Sequence, residues 1–328
     1  MQLEGTERAM DDAYGDRCNE PQAQHVATAR SPAVTKTSVL GSGKADGVHV
    51  ELSPIMDDDM AGVAAFLHAN LNDRVPWKQA CSTVPWKVDA PNYGFMLWDG
   101  RRVVGALLAL YSERLVNGRV ERFCNMGSWC VLPEFRSRSM SLLQALLAQE
   151  NYHFTVLTAD VQPQEILAWW GFRYLDTAAV LIPNLPWPTV PGLTTITSDP
   201  AVIERTLTGN ELALYIDHAQ ALAAHHLVLT RGSRHCYVMY RRSRYKDQPV
   251  AMLLHVSNPD LLRHAVAPLT RHLLVRHRLL ATLAERRTIG HKPPLALSLT
   301  NWPKMFRSAS LEPRQIDDLY SELVCVPW

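Results

Sequence analysis

The sequence has few cysteines, no long apolar run and no excess of charge of one sign. Its 6 cysteines are scattered over 328 residues, and none forms a C-x-x-C pair, which disfavours a disulfide framework. No stretch approaches the roughly 18–20 uninterrupted apolar residues that span a bilayer. A balance of 33 basic and 32 acidic residues gives no reason to expect a nucleic acid or a membrane as partner.

The histidines also lack metal-ligand spacing, because no i, i+4 pair comes with an acidic third ligand. Asp57-Asp58-Asp59 precedes an apolar helix, where carboxylates cap free N–H groups and suit the helix dipole. We therefore predict no metal site.

Residues 1–46 lack hydrophobic periodicity and are rich in small and polar residues, which predicts a disordered tail. The tail begins MQLEGTERAMDDAYGDRCNE, too polar and acidic for a secretory signal. A cytoplasmic location is therefore expected, with Cys124 and Cys130 as buried free thiols on one face of a strand.

The first half alternates strands and helices in the order β-α-α-β-β-β-α-β-α-β. Two apolar runs joined by Asp99-Gly100 predict a β-hairpin. The pattern indicates a mixed sheet of the α/β or α+β class. The predicted elements are a strand at 48–52, helices at 60–71 and 76–81, strands at 93–98, 102–111 and 119–131, a loop at 133–141, a helix at 142–149, a strand at 154–158, a helix at 163–170 and a strand at 171–175.

The second half repeats this order in part. Residues 183–192 carry four prolines and are typical of a linker. We predict a tandem duplication, with one domain at 47–185 and a second at 186–328. The elements predicted for the second half are a helix at 211–229, strands at 236–240 and 249–256, a helix at 259–277, a strand at 280–285 and a helix at 316–323, followed by an apolar end that docks into the second domain.

One segment of the first half has the features of an anion site. A strand that leads into a loop of small residues and a helix N-terminus directs several N–H groups one way, and the dipole adds positive charge, which suits a pyrophosphate. Arg136 and Arg138 can add charge-assisted hydrogen bonds. A generic strand-to-helix corner with solvated arginines is the alternative. The predicted binding residues are Trp129, Cys130, Val131, Arg136, Ser137, Arg138, Ser139, Met140 and Ser141.

The same segment resembles motif A of the GCN5-related N-acetyltransferase (GNAT) superfamily. That motif reads Gln/Arg-x-x-Gly-x-Gly/Ala after a strand that ends in Val-x-Pro. Val131-Leu-Pro133 matches the strand end, Arg136 the first motif position, and Ser139 and Ser141 the two small positions. Trp170-Gly171-Phe172 resembles the Gly-Phe ending of motif B.

Two departures accompany this resemblance. Both motif A glycines are serines, which add side chains where the phosphates approach. Leu167 stands four residues before the motif B glycine, where many members carry a tyrosine that acts as acid toward the leaving thiolate.

The resemblance implies a GNAT fold in two tandem copies. The second copy is degenerate, because Val256-Ser-Asn-Pro-Asp260 passes directly from strand to helix. The implied function is acyl transfer from acetyl-CoA or another acyl-CoA to an amine that attacks the thioester directly. A backbone N–H at about Val131 would polarise the thioester carbonyl. The alternative is a catalytically inactive GNAT-fold binding or scaffold protein.

Glu121, on the strand that leads to the motif, is the candidate base. It could equally pair with neighbouring Arg119 or Arg122. Tyr93 and Tyr174 are candidate acids, and the sequence does not rank them.

The expected acceptor is a small-molecule amine, with an amino sugar or a nucleotide sugar as one class. Basic residues around the second hairpin suit either a solvated face or an acceptor that carries phosphate. These residues are Arg231, Arg234, Arg241, Arg242, Arg244 and Lys246.

Overall fold

The structure, a computed structural model, describes most of the chain after the predicted tail. Of the tail itself, only residues 43–45 are described, and they form a strand. The remainder of the prediction for 1–46 lies outside the described residues. The described residues are 43–45, 48–82, 84–158, 161–190, 192–299 and 303–327.

Strands and helices alternate along the described chain, which confirms the predicted α/β class. In chain order the strands are β1 (Gly43–Ala45), β2 (Val48–Pro54), β3 (Gly94–Trp98), β4 (Val103–Val116), β5 (Arg119–Val131), β6 (His153–Val156), β7 (Arg173–Tyr174), β8 (Ala179–Pro183), β9 (Thr195–Thr197), β10 (His225–Arg231), β11 (Arg234–Tyr245), β12 (Gln248–Val256), β13 (Ala281–Glu285), β14 (Leu297–Leu299) and β15 (Met305–Arg307).

The helices follow the same order. They are α1 (Met60–Asn70), α2 (Trp77–Ser82), α3 (Ser139–Leu147), α4 (Val161–Trp169), α5 (Pro200–Thr206), α6 (Gly209–His218), α7 (Pro259–Arg263), α8 (Val266–His277), α9 (Arg286–Ile289) and α10 (Glu322–Cys325), with 3-10 helices at Asp57–Asp59, Pro133–Arg138 and Pro313–Gln315.

The chain divides into two compact units. Unit 1 holds the described parts of Met1–Ser82, Pro91–Ala109 and Ser128–Glu150, and unit 2 holds those of Thr83–Ala90, Leu110–Gly127 and Asn151–Trp328. β4 and β5 therefore contribute residues to both units. The division into domains at 47–185 and 186–328 stays a prediction.

In unit 1, β3 pairs antiparallel with β2 and with the first part of β4. Gly94 begins β3 with a φ of 113°, and a Cβ there would lie 2.0 Å from the carbonyl oxygen of Leu107. Only glycine fits this position, because it tolerates both the positive φ and the close approach. The helix α3 packs against β3. Its buried side chains are Leu142, Leu143 and Leu146.

Unit 2 contains two sets of paired strands, and each set includes one strand from the other half of the sequence. β5 and β6 pair in parallel, and β15 lies between β6 and β7, antiparallel to both. A seven-stranded sheet has the order β14-β8-β13-β12-β11-β10-β9. There β12 and β13 pair in parallel, and β8 lies between β13 and β14. Both sets thus contain a parallel pair followed by an inserted strand, and each inserted strand comes from the other half of the sequence.

This exchange changes the interpretation of the proline-rich segment 183–192. We predicted a linker between halves, but the segment connects β8 and β9, two strands of the same seven-stranded sheet. The repeated strand pattern agrees with the predicted tandem arrangement.

Two helix predictions in the second half are wrong. Residues 211–229 are not one helix, because β10 pairs with β9 and β11 on both sides, and such pairing outweighs local propensity. The helix predicted at 259–277 is confirmed except for an interruption between α7 and α8. The predicted helix at 316–323 is replaced by α10, since Asp317 and Asp318 instead form ion pairs with Arg114 and Lys304.

The apolar C-terminal segment is buried, as predicted, with Val324 and Val326 at 0% and 1% exposure. Arg241 of β11 donates to Leu323 O at 3.1 Å and to Val326 O at 3.3 Å. Arg241 is buried, so the prediction that it belongs to a solvated basic face is wrong for this residue.

Two histidines of unit 2, the buried His218 and the half-buried His226, are held as neutral rings. His218 Nδ1 lies 2.9 Å from Leu214 O, while Nε2 accepts from Tyr320 N at 3.2 Å. His226 Nε2 lies 3.1 Å from His218 O, and Nδ1 lies 2.7 Å from the Tyr237 hydroxyl. Burial lowers the pKa of each ring from 6.5 to about 4.

Stability is expected to fall as the pH drops from 6.5 to about 4. In this pH range His218 and His226 bind protons in the unfolded chain but not in the folded one. Protonation therefore favours unfolding. Each histidine accounts for on the order of 2–3 kcal/mol of the loss. Urea unfolding measured across this range should show a shallower pH dependence for His226→Gln than for the unaltered chain. Equal slopes would contradict the prediction.

Candidate functional site

The junction between β5 and α3 begins where β5 ends. Leu132 N donates to Val104 O at 2.9 Å, which holds this end of β5 beside β4. Gly105 of β4 also lies close, since a Cβ there would be 3.1 Å from Val131 Cγ2. The lack of a side chain at Gly105 therefore allows Val131 to occupy its position.

The structure differs from the predicted loop at 133–141. Pro133–Arg138 is a 3-10 helix, and it continues directly into α3 at Ser139. Phe135 is buried, which anchors the 3-10 turn, and proline is favoured at a first helical position. Ser139 N donates to Arg136 O. This N–H is thus engaged within the chain, and the helical path starts earlier than we predicted.

The side chains predicted to bind the cofactor differ in exposure. Arg136 and Ser137 are exposed, and Cys130 is buried, with its Sγ 3.8 Å from Asn70 O. Ser141 Oγ donates to Arg138 O at 2.7 Å, so its hydroxyl proton is directed at the chain itself. The remaining predicted residues are half-buried, namely Trp129, Val131, Arg138, Ser139 and Met140.

The prediction that the thiols of Cys124 and Cys130 are buried is confirmed. Cys124 and Cys130 are buried and form no disulfide, and burial raises the pKa of the Cys124 thiol. Neither thiol is therefore suited to act as a nucleophile.

Tyr93, a predicted acid, lies in unit 1 and donates a 2.8 Å hydrogen bond to Asp57 Oδ1. The hydrogen bond to Asp57, together with partial burial, raises the pKa of Tyr93. This arrangement holds the phenol proton more tightly. Its role as an acid stays a prediction.

Glu121, the predicted base, lies in unit 2. Its Oε2 is 3.0 Å from His153 Nε2, and its side chain is 24% exposed. The alternative partner Arg122 instead lies near Glu113, at 3.7 Å, and donates to the Tyr152 hydroxyl at 2.6 Å. Glu121 is therefore accessible and is oriented by a histidine, although its role in catalysis stays a prediction.

His153 leads to a further side chain that sequence reasoning missed. His153 Nδ1 lies 2.9 Å from Ser308 Oγ. The parallel pairing of β5 with β6 places Phe123 opposite His153. Predicting the register of these two strands from the sequence would have indicated that His153 lies near Glu121. The position of Ser308 depends on the inserted β15, for which the sequence has no local signal.

The motif B region agrees in part with the sequence. Leu167 is buried in α4, and Phe172 N donates to Leu167 O at 3.0 Å, so no acid occupies this position. Tyr174, the other candidate acid, is 53% exposed on β7, and Trp169 is 81% exposed. Trp169 therefore lies on the surface of this region.

Within the described residues, no group of three or more His, Cys, Asp or Glu side chains is arranged to hold a metal. In the same part of the chain no helix is long and apolar enough to cross a bilayer. An open groove of about 720 Å³ lies in unit 1. It is lined by none of the predicted site residues but by Ala61, Ala64, Ala65, His68, Asp73, Arg74, Val75, Pro76, Trp77, Lys78 and Gln79.

The fold is similar to those of known acetyltransferases. The structure of a GCN5-related N-acetyltransferase from Kribbella flavida matches with a TM-score of 0.52 and 12% identity, over 80% of this chain and 72% of that one. A GCN5-related N-acetyltransferase from Anabaena variabilis ATCC 29413 matches with a TM-score of 0.51 and 12% identity, over 79% and 72%. No protein-family model and no curated protein matches the sequence.

Proposed function

We propose that this chain, which has the fold of the GCN5-related N-acetyltransferases, transfers the acyl group of an acyl-CoA to an amine. The observation that carries the proposal is the end of β5. There the strand leads directly into the Trp129–Ser141 segment with its two arginines.

The CoA pyrophosphate is proposed to bind at the turn around Arg136. The guanidinium of Arg136 is exposed and can form charge-assisted hydrogen bonds with phosphate oxygens. The dipole of α3 adds positive potential. Ser139 and Ser141 are small enough for the backbone to remain close to the phosphates.

The proposed reaction is a direct transfer. The predicted base Glu121 lies ten residues before Val131 on the extended strand β5, about 33 Å at ~3.3 Å per residue, so water takes the proton of the ammonium group instead. The neutral amine then attacks the thioester carbonyl, and a backbone N–H at about Val131 stabilises the developing oxyanion. The C–N bond forms, the C–S bond breaks, and the departing thiolate takes a proton from Tyr93 or water.

The acceptor is proposed to be a small-molecule amine, with amino sugars and nucleotide sugars as the first class to test. Exposed cations on the β11–β12 hairpin support an acceptor that carries phosphate. These cations are Arg234, Arg242, Arg244 and Lys246.

Calorimetry with acetyl-CoA and longer acyl-CoAs tests the binding step, and release of free CoA across a panel of amines tests the chemistry. Binding together with amine-dependent release supports the proposal. Binding without release for any amine favours the non-catalytic alternative. A failure to bind any acyl-CoA at high micromolar concentration overturns both.

Arg136→Ala is expected to weaken acyl-CoA binding by about tenfold or more, because one charge-assisted hydrogen bond contributes about 1.5–3 kcal/mol. Arg101→Ala is the matched control, because Arg101 is another exposed arginine of unit 1 and lies outside the Trp129–Ser141 segment. Titration calorimetry of both variants measures the effect. Equal affinities would place the pyrophosphate elsewhere.

A further inference from the structure

We infer that unit 2 contains an anion site, which binds a phosphate-type oxyanion between the seven-stranded sheet and the end of α8. The inference goes beyond the proposed function, because this site binds its ligand independently of acyl transfer. Arg242 of β11 and three histidines form the site. The histidines are His225 on β10 and His272 and His277 on α8.

The histidines lie around Tyr240 on one face of the sheet. In the antiparallel pairing of β10 with β11, His225 lies opposite Tyr240, and their ring centroids are 5.1 Å apart. The ring of His277 lies 5.9 Å from that of Tyr240 and 5.3 Å from that of His272. Arg242 follows Tyr240 by two residues along β11, and side chains two residues apart in a strand share a face. Three elements thus bring groups that can carry positive charge to one place.

No carboxylate of the described residues balances this cluster. Arg242 forms no ion pair with any of them, and no hydrogen bond within the same part of the chain engages the ring nitrogens of the three histidines. By contrast, His153 and His235 each pair with a glutamate, and Arg114 pairs with an aspartate. The three histidines of the cluster are half-buried, so water solvates them only in part. An anion from outside the chain can supply the missing negative charge.

Partial burial and mutual repulsion keep protons off the empty site. Burial lowers the pKa of His225 and of His277, and the charge of Arg242 lowers both further. Burial lowers the pKa of His272 from 6.5 to about 4, with further contributions from His277 and Arg276. No carboxylate contributes to these three shifts. An anion bound among these groups reverses the balance, because an opposite charge within about 4–6 Å favours the protonated ring.

The available donors suit a phosphate-type oxyanion. His277 Nε2 is buried, so Nδ1 is the nitrogen of this ring that can reach a ligand. Arg242 is exposed and can donate charge-assisted hydrogen bonds. Donors that approach from β10, β11 and α8 match the tetrahedral oxygens of a phosphate, whereas a planar carboxylate pairs best with a single guanidinium fork. The three histidines are not arranged to hold a metal ion, which leaves an anion as the ligand.

Sulfate is the first probe, because its charge stays constant while the histidines titrate, whereas a phosphate ester gains a proton in that range. In the full chain labelled with 15N-histidine, the pKa values of His225 and His277 are measured in sodium sulfate and in sodium chloride of equal ionic strength. Sulfate is expected to raise both by about one unit or more, which corresponds to about tenfold tighter binding to the protonated ring. His235, which pairs with Glu211, is the control and should not shift. Equal pKa values in the two salts overturn the inference.

Arg242→Gln is expected to weaken phosphate binding about tenfold or more, because it removes charge-assisted hydrogen bonds. Titration of the histidine resonances with inorganic phosphate measures the affinity. The matched control is Arg263→Gln, which removes an exposed cation of unit 2 that lies 4.0 Å from Asp260. Both arginines are exposed, so thermal unfolding of the two variants should match that of the unaltered chain. Equal affinities of the two variants, or acetate binding as tight as that of phosphate, overturn the inference.

Two sources of the phosphate group are distinguished by titration with inorganic phosphate and with an amino sugar phosphate. Tighter binding of the amino sugar phosphate supports a site for a phosphorylated small molecule, and equal affinity supports a site for free phosphate. Failure of both to bind overturns the inference. None of these measurements uses acyl transfer, so a chain that transfers no acyl group to any amine overturns the proposed function alone.

Discussion

Lys304→Met is expected to destabilise the protein by about 3–5 kcal/mol, because it leaves two buried carboxylates short of a cation. Lys304 Nζ lies 2.7 Å from Asp318 Oδ2 and forms an ion pair with Glu285. Arg287 pairs with the same two carboxylates, so the cluster is balanced at two charges of each sign. The side chains of Lys304 and Asp318 are each 2% exposed, and solvent therefore screens them little.

The pKa values of the two carboxylates in this cluster add a pH dependence to the prediction. Burial opposes the ionisation of Glu285, but Lys304 and Arg287 outweigh it and lower its pKa. Burial raises the pKa of Asp318. Without Lys304, Asp318 is expected to take up a proton, so the deficit of the variant should shrink as the pH falls.

Urea unfolding at two pH values measures both effects. Lys304→Met combined with Asp318→Asn restores the charge balance and should recover part of the loss. The control is Arg263→Met, which removes an exposed cation 4.0 Å from Asp260 and should change stability by less than about 0.5 kcal/mol. A Lys304→Met variant as stable as this control would contradict the prediction.

Glu121→Gln is expected to leave kcat unaltered, although Glu121 was the base predicted from the sequence. Glu121 lies ten residues before Val131 on the extended strand β5, about 33 Å at ~3.3 Å per residue, so it cannot reach an amine at a thioester bound near Val131. KM for acyl-CoA should stay the same as well. Steady-state CoA release measures both constants.

Glu113→Gln is the matched control for this substitution. Glu113 lies on β4, 49% exposed and 3.7 Å from Arg122, so Glu113→Gln is the same change of side chain at a position with no predicted role. Both variants should keep the kcat of the unaltered chain. A loss of about 10²- to 10⁴-fold that is confined to Glu121→Gln, the range that a general base contributes, would contradict the prediction and place the thioester beside Glu121.

The parts of the fold that depend on neighbouring residues could be predicted from the sequence. The turn between β4 and β5 follows from Asn117-Gly118, whose φ angles of 52° and 78° are those that such residues favour. The bounds of β5, 119–131, also agree with the prediction. Local turn chemistry was sufficient to place the start of β5.

The parts that depend on distant residues could not be predicted. The first residues of β10 were predicted to be helical. They form a strand because β9 and β11 pair with β10 on its two sides. Glu121 was identified as a candidate base, but its link to Ser308 through His153 joins residues that only the inserted β15 brings together. The helical path at Pro133–Arg138 was missed because its buried anchor, Phe135, stands in an otherwise polar segment.

The exchanged strands also constrain how the chain can be made. During synthesis from the N-terminus, β6 and β7 emerge long before β15, which spans Met305–Arg307 and pairs with both. Until β15 pairs with them, the edges of β6 and β7 are exposed and can pair with strands of other chains. Folding of the first half on the ribosome is therefore expected to remain incomplete until the residues of β15 have left the exit tunnel.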